Sequence, residues 1–344
     1  DSILADLNFA INNISVSKDS SCSRITKWVA LAFKSRVALF EGAFRKYHSE
    51  LNLQNTSVAL FEEAVSSATE IMNSNQYKLH INASNPQLSY RELFIDRSGN
   101  PPNDETILSF NASSGLNVLH AASWRFNSAS FGSRLSLKKA FVNTYLMIDG
   151  SSFTDLTDYN EIPFWDEVKN RDLRLKQTIR LGNYTREGTP APPNFQYTVT
   201  GYHPLKFSLD EKFSDASISS DNSLPIIRYA EILLNYAEAK AELGQFNAED
   251  WDKTIKQLRE RAGIANASLP TKIDSYLKDE FYPDISDMNL LEIRRERGIE
   301  LALEGFRFDD IRRWKRGELM NMENLGIYVP AINALYDLNE DGVN

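Results

Sequence analysis

Apolar positions recur at helical spacing in two separated blocks of the chain, and the period is lost between them. In the first block Ile25, Trp28, Val29, Ala32, Val37, Leu39, Phe40 and Phe44 share one broad face, which predicts a helix over 24–47. Lys27, Lys34, Arg36, Arg45 and Lys46 fall on its exposed side. Val58, Phe61, Val65, Ala68 and Met72, at steps of three and four, predict a second helix over 57–74, and the short polar joint makes the two an antiparallel pair. In the second block Ile226, Ala230, Leu233, Ala237 and Ala241 run at the same spacing up to Gly244, a helix stop. Ala248, Trp251, Ile255, Leu258 and Ala262 form the next stripe, ending at Gly263. A helix hairpin of roughly 34 to 40 residues that returns in this way has the period of tetratricopeptide-like units. Further helices are predicted over 290–304 and 308–316.

Residues 76–224 have a different texture, rich in Gly, Pro, Asn, Ser and aromatics, with breaks at Gly99-Asn100-Pro101-Pro102 and Thr189-Pro190-Ala191-Pro192-Pro193. One helix is predicted over 137–147, and loops and short strands elsewhere. Ordered loops on a rigid scaffold are where binding surfaces usually form. The expected division is therefore a helical scaffold over 1–75, a loop-rich ligand-binding region over 76–224, and C-terminal tetratricopeptide-like helices with a tail over 225–344. Together they form one mainly α unit.

With 38 basic against 47 acidic residues the formal net charge is −9, which disfavours the many phosphate contacts of a long polyanion, so no nucleic-acid partner is expected. The longest fully apolar run, Trp28 to Phe33, is far short of the roughly 20 residues a membrane-spanning helix needs. The single cysteine, Cys22, has no intrachain disulfide partner. The sequence holds no HExxH, GxSxG, GxxxxGK[ST] or GxGxxG motif, and its histidines, at 48, 80, 120 and 203, are too scattered to suggest a metal pair. No catalytic residue, metal or cofactor is assigned on these grounds. A glycosidase stays open as the weaker alternative, because its two carboxylates, about 5 to 9.5 Å apart, are brought together only by tertiary structure.

Asp337-Leu338-Asn339-Glu340-Asp341-Gly342 matches the first half of a calcium loop but is followed by no bidentate glutamate, and an acidic turn is the preferred reading. The charged run from Arg294 to Arg313 alternates in sign, with Glu292 and Arg295, and Arg297 and Glu300, three apart, as in a salt-bridged structural helix. The remaining signal is aromatic: Trp124, Phe126 and Phe131 sit within eight residues. A flat ring can pack on the apolar face of a sugar while neighbouring Arg and Asn groups bond its hydroxyls. That chemistry makes Trp124, Arg125 and Asn127, with Tyr90, the candidate ligand-binding residues.

The chain resembles the SusD/RagB family of outer-membrane nutrient-binding lipoproteins. The likeness is carried by Arg24 to Gly42 (RITKWVALAFKSRVALFEG), Tyr145-Leu146-Met147-Ile148-Asp149-Gly150, Asn170-Arg171-Asp172-Leu173-Arg174-Leu175 and Thr200-Gly201-Tyr202. It continues through Ile227 to Ala239 (IRYAEILLNYAEA) and Arg295 to Arg307 (RERGIELALEGFR). Leu173 stands where the family usually has Pro. The resemblance implies tetratricopeptide-like helix pairs, at most three of the usual four here, packed against an irregular region that carries the ligand site. It also implies a lipid-anchored protein on the outward face of the outer membrane that passes oligosaccharide or polysaccharide to a SusC-like TonB-dependent transporter without catalysis. The family's usual N-terminal part, with its lipidated cysteine, is not in this sequence. A peptide ligand is the alternative within the family. The signature segments are expected to be scaffold, and binding to fall in the loops.

Overall fold

A computed structural model describes residues 2–99, 101–132, 134–333 and 336–339. In chain order its helices are α1 (Ser2–Asn13), α2 (Lys27–Tyr47), α3 (Ser57–Asn73), α4 (Ser89–Ile95), α5 (Ala122–Phe126), α6 (Lys139–Val142) and α7 (Phe164–Glu167). Then follow α8 (Leu175–Thr178), α9 (Tyr229–Glu242), α10 (Ala248–Lys253), α11 (Ile255–Arg261), α12 (Met288–Glu300) and α13 (Phe306–Arg313). Four short strands, β1 (Thr106–Phe110), β2 (Thr185–Arg186), β3 (Thr189–Pro190) and β4 (Leu224–Arg228), form two antiparallel pairs, β1 with β4 and β2 with β3. The fold is mainly α, as expected.

The scaffold is a stack of helix pairs. α2 buries Trp28, Leu31, Ala32, Leu39 and Ala43 against Phe61, Ala64, Ala68 and Ile71 of α3. The two can approach closely because Gly42 has no side chain: a Cβ there would lie 3.0 Å from the Phe61 ring. α9 packs on both through Ala230, Leu233 and Ala237, and Trp251, Leu258, Leu291, Ile293 and Trp314 extend the same core through α10 to the end of α13. A smaller core, including Val142, Tyr145, Phe164, Ile179, Tyr202 and Ile299, clamps the loop-rich region onto α12.

Several expected boundaries move for local reasons. Ile25 precedes α2 and is exposed, while Lys34 lies in the packed face with its ammonium 2.5 Å from Glu63 Oε2. Ile226 belongs to β4, which pairs with β1, so the helix starts only at Tyr229. The stripe over 248–262 breaks at Thr254, whose hydroxyl turns back to donate to Asp250 O. The helix expected over 137–147 is confined to α6, because the Arg171 guanidinium takes the carbonyls of Val142 and Tyr145 and the chain then makes isolated bridges from Leu146 to Ser152 and from Met147 to Arg171. α1 was not anticipated.

The charged segments are buried. Arg174 pairs with Asp172, Glu296 and Glu300, Arg228 with Glu105, Glu300 and Glu304, and Arg261 with Glu105 and Glu300. Of the two expected pairs along α12, Glu292 and Arg295 meet at 3.4 Å, but Arg297 pairs with Asp310 at 2.9 Å and Glu300 serves arginines from other segments. α12 is thus an internal helix whose charges knit α8, β4, α11 and α13 together. Among the described residues no helix is long and apolar enough to cross a membrane.

Candidate functional site

α5 has two unlike faces. Ser123, Phe126 and Asn127, at helical spacing, point inward, and the Ser123 hydroxyl accepts Leu209 N–H at 3.0 Å while Phe126 O accepts His203 Nε2–H at 2.9 Å. Trp124 is left half-buried and Arg125 exposed on the other face. The chain then doubles back: Gly132 N–H bonds Ser128 O, and Phe131 N–H bonds Ser128 Oγ. Only glycine allows this, since a Cβ on residue 132 would fall 1.8 Å from Arg125 O. The turn lays Phe131 flat on Trp124, ring centroids 3.7 Å apart and planes 11° from parallel. The Arg125 guanidinium carbon stands 5.1 Å from the Phe131 centroid, within cation–π range.

Trp124 and Arg125 therefore meet at the surface. Asn127 does not join them. It is 4% exposed, its amide nitrogen surrounded by Ser123 O, Ser208 Oγ and Asp215 Oδ1 at 2.8 to 2.9 Å, while its oxygen accepts from Arg180 Nη2 at 2.5 Å. Tyr90 is 2% exposed in the core, donating its hydroxyl proton to Glu300 O at 2.6 Å and accepting from Lys206 Nζ at 2.5 Å. Neither has a face left for a ligand. The residue that completes the surface pair, Phe131, was visible only as one of a cluster of aromatics; the signal that singles it out is the glycine after it, eight residues beyond Trp124.

Beneath α5 Asn127 joins the buried Arg180 to Asp215. Arg180 is 4% exposed, and burial pushes its guanidinium down to about 10. Burial, then the nearby Arg180 charge, pushes His203 down to about 3, so its imidazole is neutral, with Nε2 as donor. Burial likewise lowers Lys206 to about 8, against the attraction of Glu304. A cavity of about 540 Å³ lined by Leu137, Phe141, Phe281, Leu301, Phe306 and Met320 shares no residue with α5 or its turn, and its mainly apolar wall gives a sugar few partners. Among the described residues no three metal-binding side chains converge. The Asp337–Gly342 turn lies, from Glu340 onward, outside the described residues.

The model of the SusD family matches residues 76–329. The chain belongs to the SusD family. Over 328 residues it is 26% identical to SusD-like protein P38 of Formosa agariphila, covering 91% of this chain and 56% of that protein, and so spans little more than half its length. SusD-like protein P2 of the same organism is 40% identical over 101 residues, 29% of this chain and 18% of that protein. Among solved structures, a SusD-like carbohydrate-binding protein of Bacteroides fragilis superposes with a TM-score of 0.67 at 22% identity, covering 92% of this chain and 58% of that one. A SusD superfamily protein of Parabacteroides distasonis does so with 0.58 at 21% identity, covering 90% and 56%. At such identities these structures establish the shared fold. Much of the SusD signature is built into the ion-pair network described above: Asp172, Arg174, Arg228, Glu296 and Glu300 are all buried there.

Proposed function

We propose that this chain is the glycan-capturing part of a cell-surface SusD-like protein, holding an oligosaccharide against Trp124 and Phe131 and delivering it, chemically unchanged, to a SusC-like TonB-dependent transporter. The observation that carries the reading is the flat Trp124–Phe131 pair, held at the surface of the loop-rich region by a turn that only Gly132 permits. A ring pair at the surface offers a sugar's apolar face a rigid platform at little cost in conformational entropy. Membership of a family whose solved members include proteins named as carbohydrate-binding supports the choice of ligand. Attachment to the outward face of the outer membrane through an N-terminal lipid belongs to the same proposal.

Isothermal titration against a panel of plant, microbial and host oligosaccharides, repeated with Trp124→Ala, tests it. Loss of one ring contact, about 1 kcal/mol, weakens binding roughly five-fold. Binding of no glycan, or binding unchanged in Trp124→Ala, overturns the assignment of the site. Released reducing ends on prolonged incubation would overturn the non-catalytic reading.

A further inference from the structure

We infer that the sugars taken at this site carry a negative charge, a carboxylate or a sulfate ester, and that Arg125 reads it; the inference rests on the glycan reading above. The cations nearest in the loop region are mostly neutralised within the protein. Arg91 pairs with Asp210 at 2.6 Å, Arg97 with Asp221 and Glu211, and Arg186 with Asp215. Arg125 and Arg180 are not neutralised in this way, and among the described loop cations they share this with Arg134, Lys138, Lys176 and Lys212, of which Lys138 is held by backbone carbonyls and Lys176 by Gln87. Among the described residues neither has a carboxylate within 4 Å, although the chain as a whole carries more acidic than basic residues.

Arg125 is exposed, yet the Phe131 ring beside it restricts where its guanidinium can go, so it is partly pre-positioned with its N–H groups unspent. Arg180 is the stronger anomaly. Its one side-chain hydrogen bond is to the neutral Asn127, its carbon lies 5.2 Å from the Tyr184 ring, and the carboxylate that shares Asn127, Asp215, is taken up by Arg186. Burial depresses its hold on its proton and outweighs the attraction of Asp215, which lies too far away to pair with it directly.

Two guanidiniums without a directly paired carboxylate, one on α5 and one hydrogen-bonded to Asn127 just after it, stand beside an Arg186–Asp215 pair that is already balanced, so the corner carries an excess of positive charge. A neutral sugar's hydroxyls take only single, separate N–H bonds from such a group. A carboxylate or sulfate accepts two parallel N–H bonds from a guanidinium, a geometry lysine cannot offer. The protein's overall charge of −9 does not oppose a short acidic sugar at physiological salt, where fields are screened beyond about 8 Å.

The test is titration of the full chain against oligogalacturonate, oligoglucuronate and sulfated oligogalactan, each beside its carboxyl-reduced or desulfated counterpart. The expected result is that at least one acidic member binds about tenfold or more tightly than its neutral counterpart. Arg125→Gln should abolish that preference by lowering affinity for the acidic member about tenfold more than for its neutral counterpart, and Arg125→Lys should restore only part of it. Which acidic class binds distinguishes carboxylate from sulfate. Equal affinity for charged and neutral counterparts, or a preference untouched by Arg125→Gln, overturns this inference; if Trp124→Ala still weakens binding in that case, the glycan reading stands without it.

Discussion

The carboxamide of Asn127 touches its own helix through Ser123 O and three distant segments through Arg180, Ser208 and Asp215. Removing it leaves the buried Arg180 without its side-chain partner, and an unsatisfied buried charge costs more than a lost neutral bond. Asn127→Ala should therefore lower stability by about 2 to 3 kcal/mol in urea titration. Tyr90→Phe, which leaves Lys206 and Glu300 O one partner short, should cost about 1 to 2 kcal/mol and leave sugar affinity unchanged. A Tyr90→Phe protein of normal stability that bound sugar more weakly would put Tyr90 back in the site. Both residues were read from the sequence as ligand contacts because Asn and Tyr carry the right chemistry. Residue type says what a group can bond, however, and not whether it faces outward. Trp124 and Arg125 differ from Asn127 only by their turn of α5, and a five-residue helix has too few apolar positions to reveal its inward face.

α5 and its return turn form the element that makes the ring pair, and the pair depends on Gly132 more than on either ring. Gly132→Ala forces the backbone away from Arg125 O and with it lifts Phe131 from Trp124. The expected cost is about 1 to 3 kcal/mol, with loss of near-ultraviolet circular dichroism from the stacked indole and a fall in sugar affinity close to that of Trp124→Ala. An unchanged indole signal would show that the turn does not set the stack. Long elements were legible: α2, α3 and α9 each repeat their apolar face over three or more turns, and their ends, like those of α12, move only by a few residues. Short ones were not. Ile226 fits a helical stripe and a strand equally well, and the pairing of its strand, β4, with β1, more than a hundred residues earlier in the chain, decides the matter. The end of α6 is set by Arg171 reaching back for two carbonyls, an interaction with no local sequence pattern.

Across the whole molecule, stability rests on charges held inside it, and that ties folding to pH. Burial alone would raise the carboxyls of Glu238, Glu300 and Glu304, but the arginines beside them more than offset it: Arg313 and Arg297 at Glu238, which falls to about 2, Arg261, Arg228 and Arg174 at Glu300, and Arg228 at Glu304. These depressed carboxyls contribute stability that is complete above the ordinary glutamate value of 4.5 and is lost as pH falls towards their folded values. His203 acts in the same direction at higher pH. Its folded value of about 3 lies below the ordinary 6.5, so between those limits the unfolded chain takes up a proton that the fold refuses, and stability drops as pH falls. The melting temperature should thus be highest above pH 6.5 and decline in two stages, each group contributing at most about 1.4 kcal/mol per pH unit. His203→Gln, whose amide can still donate to Phe126 O, should flatten the stage between pH 6.5 and 4.5, leaving the share of His120, which burial also lowers, and should keep the steeper loss below pH 4.5. An unaltered upper stage in His203→Gln would mean that the imidazole takes up its proton without unfolding, and the packing of α5 on the segment around His203 would then be looser than the structure shows.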